Sequence, residues 1–280
     1  MVSIAVGTGG SVFITGHGVA IADEFELSPG ITLTPEVPRQ TASFGSTVSQ
    51  LPAHAALLVM ETVADFSIRI EHSDGGEALA VKAWNALWLF SLLSLAFRAP
   101  IIPLYSYAKG RGFAVANRNL MIRPRPKVLE PAAESLAWAA ASVGRFDAVL
   151  ADRRFRTAQR YYNNAHDLFD DDAKIMLLWA GIEGLLGVDA EISRRIALHA
   201  AILLDGTPDE KMATYQAVKK AYAARSKVVH GVGMDQAALS SAYDFASGLL
   251  VKVLRKIVDL GRMPTMAELD RVAASGSLSS

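Results

Sequence analysis

Up to about residue 126, apolar positions come in short runs of β-type residues divided by glycine and proline; beyond it the period lengthens to that of helices. The expected strand runs are Ile4-Ala5-Val6, Val12-Phe13-Ile14-Thr15, the stretch around Val19, Ile31-Thr32-Leu33-Thr34, Phe66 to Ile70 and Ile101 to Tyr107. Gly7-Thr8-Gly9-Gly10 reads as a hairpin turn, because the residues after it favour a strand and not the helix N-terminus that a phosphate loop needs. Glu77 to Phe97 has helical length and period. Its most apolar part, Ala83 to Phe97 between Lys82 and Arg98, falls short of the ~20 residues of a membrane span and is expected as a buried core helix.

The basic run Arg123-Pro124-Arg125-Pro126-Lys127 breaks the pattern, which places a boundary near residue 128. The expectation is an α+β domain over 1–127, an all-α helical bundle over 128–274 and a flexible tail over 275–280. Helix signals in the second half are clear. Pro131 suits a first helical position, and a long helix is expected from Phe146 to Phe169. The acidic run Asp170-Asp171-Asp172 then complements the dipole of a helix from Ala173 to Leu186, apolar nearly all round except at Glu183 and stopped at Gly187, which is expected to be the central buried one. Glu191 to Leu204 follows. Thr207-Pro208-Asp209-Glu210 forms a capping box for a helix ending at His230 and Gly231. Asp235 to Leu260 is another helix, stopped by Gly261, and Thr265 to Glu268 is a second capping box.

Composition adds limits. With 51% hydrophobic residues over 280 positions the chain can build a real core, which excludes disorder. It has no cysteine, so disulfides, thiolate nucleophiles and cysteine-based zinc sites are excluded, and a cytoplasmic location is expected. The 28 basic and 28 acidic residues cancel, so any grip on a polyanion must be local. No Walker loop, HExxH or GxSxG pattern occurs, and the six histidines show no metal-ligand spacing, so neither a metal nor a cofactor is expected.

One segment carries chemistry: Ala221-Tyr222-Ala223-Ala224-Arg225-Ser226-Lys227-Val228-Val229-His230-Gly231, at the end of a long helix. The five-residue offset from Arg225 to His230 turns them about 140° apart around a helix, so one chain's pair does not converge, whereas two copies related by a dyad can. An imidazole titrating near neutrality can move a proton to or from a 2′-hydroxyl or a leaving oxygen, and a guanidinium can hold the developing charge on phosphorus. That pairing suits metal-free RNA cleavage, with Ser226 available to position a phosphate oxygen or the histidine. The plainer reading is that a histidine before a helix-ending glycine serves the helix dipole alone.

Leu178-Trp179-Ala180-Gly181-Ile182-Glu183-Gly184-Leu185-Leu186-Gly187, then Glu191-Ile192-Ser193-Arg194-Arg195-Ile196-Ala197, then Val218-Lys219 through Tyr222, Arg225-Ser226 and Val228-Val229-His230-Gly231 together resemble the HEPN superfamily, specifically its ApeA-like domains. The resemblance spans roughly residues 145 to 260. It implies a HEPN-type helical bundle and a homodimer whose composite cleft makes a metal-independent endoribonuclease, a hydrolase of toxin–antitoxin or antiphage defence systems. Arg225 and His230 would be catalytic, with Ser226 at the polar position after the arginine. The implied partners are RNA, a second copy and an antitoxin or regulatory protein, with no membrane. A noncatalytic module that binds nucleotide, RNA or a partner protein is the alternative. Residues 1–127 carry no motif that assigns them a role.

Glu183 inside so apolar a helix requires an arginine, with Arg225, Arg194 and Arg195 the candidates; such a pair either anchors the bundle or orients Arg225. Arg153, Arg156 and Arg160 form a stripe at i, i+3 and i+7, with acids interspersed along the same stretch, and Lys220 and Lys227 are expected to share a face near Arg225. Tyr161, Tyr162 and Tyr222 are expected in the core sooner than against bases.

Overall fold

A computed structural model describes residues 4–7, 9–40, 51–116, 128–186, 192–204, 206–231 and 233–274. The chain divides into two compact units, Met1–Val143 and Gly144–Ser280.

The first unit holds six strands, β1 Ser11–His17, β2 Phe25–Ser28, β3 Ile31–Thr34, β4 Phe66–Glu71, β5 Ile102–Ala108 and β6 Gly112–Val115. They form one sheet in the order β2-β3-β4-β1-β5-β6, every neighbouring pair antiparallel. Alternation sets the faces: Phe66, Ile68 and Ile70 of β4 are fully buried and stand opposite Gly16, Ile14 and Val12 of β1, while Arg69 turns away to bind Glu24 at 2.9 Å. The unit's helices are α1 Leu51–Val63, α2 Gly76–Ala86 and α3 Leu89–Phe97. The ring of Phe90 from α3 lies 6.0 Å from that of Phe66, and a Cβ at Gly16 would sit 2.6 Å from both rings, so only glycine lets this helix approach the sheet.

Several expectations change here. Residues 4–7 are not in a strand, and Val19 makes only an isolated bridge to Val128. Thr8 of the expected hairpin turn lies outside the described residues. The single helix expected over Glu77–Phe97 breaks at Leu87 and Trp88 into α2 and α3. Eight of the nine residues of α3 are buried, as expected for a core helix. By length and composition alone, Gly76–Phe97 and α9 (Gln236–Leu260) would suffice to cross a membrane, but over half of the first is buried in its unit. α1, β2 and β6 have no counterpart among the expected elements.

Past the first unit's sheet the described chain is helical: α4 Ala133–Val149, α5 Arg153–Ala165, α6 Asp171–Leu186, α7 Ile192–Leu203, α8 Pro208–Val229, α9, and α10 Met266–Ala274. The division between units falls within α4. The expected helix from Phe146 to Phe169 is interrupted at 150–152, where Asp152 turns extended and accepts a 2.7 Å hydrogen bond from the Arg154 amide, starting α5. A competent N-cap outweighed the continuous periodicity. α6 packs against α5, α7, α8 and α9, with Ile175, Leu178, Trp179, Ile182, Leu185 and Leu186 buried, and is the central helix its composition predicts. Thr207 and Glu210 close the expected capping box on α8, and the Glu268 and Thr265 amides exchange bonds with each other's side chains ahead of α10. Asp270 ties α10 to α7 through His199 and Arg195, both at 3.2 Å, and the His199 bond followed by the Arg195 charge holds its carboxyl below the usual range. Residues 123–127, Gly187, Glu191 and the tail at 275–280 lie outside the described residues.

Candidate functional site

The site is built by α6 and α8. A helix period of 3.6 puts Trp179 and Glu183 on one face of α6 and Tyr222 and Arg225 on one face of α8, and the two faces meet. Arg225 Nη2 lies 3.1 Å from Glu183 Oε1 and 3.5 Å from Oε2, each side chain about a quarter exposed. Glu183 thus selects Arg225 from the three candidate arginines; Arg195 is engaged with Asp270. The guanidinium carbon stands 5.4 Å from the centre of the Tyr222 ring, and Trp179, itself buried, meets that ring edge-on at 5.3 Å. Arg225 is therefore gripped by an acid at one edge and an aromatic face beside it. Its Nε is buried with no hydrogen-bond partner, so what it can still offer an anion is the outer end of the guanidinium. Burial first, and then the Glu183 charge, push the Tyr222 phenol up.

His230 is placed differently. It caps α8 with φ −88° and ψ 8°, donates its backbone N–H to the Ser226 carbonyl at 3.1 Å, and is exposed. Gly231 follows at φ +66°, a left-handed conformation that glycine adopts without strain. Ser226 is half-buried one residue past Arg225. The structure thus brings Arg225, Glu183 and Tyr222 together and leaves His230 on the solvent side of the same helix, as the five-residue offset requires. Trp179 and Tyr222 are absent from the candidate site read in the sequence, although their spacing to Glu183 and Arg225, four and three residues, was a usable signal.

The α5 arginines 153, 156 and 160 are exposed along one stripe, whereas Tyr162 is fully buried. Among the described residues no group of three or more histidines, cysteines or acids gathers where it could hold a metal ion. The chain matches no protein-family model, no curated protein and no solved structure.

Proposed function

We propose that this protein is a metal-independent endoribonuclease with a HEPN-type helical bundle, acting as a homodimer in which α8 of each copy lines one composite cleft. The observation that carries this reading is a guanidinium held in place by Glu183 and Tyr222 at one side of α8, with an exposed imidazole at that helix's end. His230 takes or returns the proton of the attacking 2′-hydroxyl or the leaving 5′-oxygen, and Arg225 stabilises the negative charge that grows on the phosphate oxygens. The 2′-oxygen displaces the 5′-oxygen at phosphorus, leaving a 2′,3′-cyclic phosphate and a free 5′-hydroxyl. No metal or cofactor takes part in this scheme. In this scheme Ser226 steadies either the phosphate or the histidine through its hydroxyl. A toxin or antiphage role, cytoplasmic and restrained by an antitoxin or regulatory protein, is the setting such an enzyme fits.

Incubating the purified protein with mixed single-stranded and structured RNA in excess EDTA, beside His230→Ala and Arg225→Lys, tests the proposal. Cleavage by the wild type with cyclic-phosphate ends, lost in His230→Ala, is expected. The lysine keeps the charge but not the fork, so Arg225→Lys should retain binding and lose most of the rate. Equal cleavage by wild type and His230→Ala would overturn the assignment. RNA binding with no cleavage would point to the noncatalytic module.

A further inference from the structure

The solvent face of α8 has a charge pattern that the bundle does not require. From Lys211 to His230 the helix carries Lys211, Lys219, Lys220, Arg225 and Lys227 and not one acidic residue, in a chain whose charges sum to zero. At 100° per residue, Gln216, Lys220, Ala223, Lys227 and His230 fall on one stripe about 80° wide, and all five are exposed. The residues between the cations on this stripe are small or neutral, so nothing screens them along the helix. Among the described residues neither Lys220 nor Lys227 forms an ion pair. α5 differs: Asp152 and Arg154 pair at 3.4 Å at the very start of its arginine stripe.

We infer that this face of α8 is a track for the phosphate backbone of single-stranded RNA, with Lys220 and Lys227 each holding a phosphate on a strand that ends at His230. The inference rests on the proposed nuclease reading for the identity of the strand. Lys220 and His230 lie about 15 Å apart along the axis, a length of a few nucleotides, and the stripe delivers the backbone to the one exposed imidazole on the helix. A flexible strand can bring its 2′-hydroxyl into line with the scissile bond, which a stacked A-form duplex resists. Lysine suits such a track because an ammonium on a long stem meets a phosphate as a point charge without reading a base, which selects backbone and not sequence.

Binding of a fluorescent single-stranded RNA, measured by anisotropy across a salt series in EDTA, tests this with three forms: wild type, Lys220→Gln/Lys227→Gln, and Arg153→Gln/Arg156→Gln as a control on the other basic stripe. Losing two phosphate contacts should flatten the slope of log K against log salt by about 1.4 for a single strand, with no change in the α5 control. An unchanged slope in the α8 variant, an equal loss in both variants, or no RNA binding by the wild type would each overturn the track. Equal, track-dependent affinity for duplex DNA would overturn its assignment to single-stranded RNA. Track-dependent RNA binding without any His230-dependent cleavage would sink the nuclease reading and leave the track standing.

Discussion

Arg225 and His230 are five residues apart, yet they impose opposite demands on the fold. Arg225 has a structural part beside the chemical one proposed for it: its guanidinium is the counter-charge of Glu183, and both are three-quarters covered. Glu183→Gln removes the charge and leaves the buried Nε side of Arg225 facing a neutral amide, so a loss of about 1–2 kcal/mol is expected in urea unfolding. His230 is exposed and touches no core, so His230→Ala should stay within about 0.5 kcal/mol of wild type in the same measurement. That contrast is what makes His230→Ala a clean probe of chemistry. Burial of the Glu183 neighbourhood was legible, because an acid in so apolar a helix demands a partner. Which arginine answers was not, since α7 and α8 both offered candidates and only their packing on α6 chose.

Among the elements, capping decides more than periodicity does. Asp152 starts α5 where the apolar pattern runs straight on, and Asp152→Ala should cost about 1 kcal/mol, read by thermal or urea unfolding. α10 rests on a similar device. Glu268 accepts from the Thr265 amide and pairs with both terminal nitrogens of Arg262, which holds its carboxyl down to about 2 from an ordinary 4.5. Because the folded value is depressed, this contribution is complete above pH 4.5 and is lost as the pH falls towards 2. Hydrogen-exchange protection factors within α10, corrected for the fall of intrinsic amide exchange with pH, should therefore drop across that acid window in the wild type. In Glu268→Gln protection should already be low at neutral pH. The capping boxes at Thr207 and Thr265 were readable because each is local, a few residues long. The break at 87–88 was not, because α2 and α3 are each apolar and their separation is set by the sheet they cover.

For the molecule as a whole, the equal charges and pI near 7.0 predict a solubility minimum, measured by polyethylene glycol precipitation, close to neutral pH and rising to either side. Against that neutral total α8 keeps its cations unmixed from Lys211 onward, so the proposed track predicts that salt weakens RNA binding through a few phosphate contacts and not through a global field. By itself the sequence determined the order of textures, strand-rich and then helical, the helix ends that carry their own caps, the centrality of α6 and the Arg225–His230 offset. All of these follow from backbone geometry and hydrophobic period within a few turns of chain. Tertiary structure alone decided the strand order β2-β3-β4-β1-β5-β6, the short strands β2 and β6, the choice of Arg225 by Glu183 and the Trp179–Tyr222 support behind it. Those depend on contacts between residues far apart in sequence, whose energies no local pattern encodes.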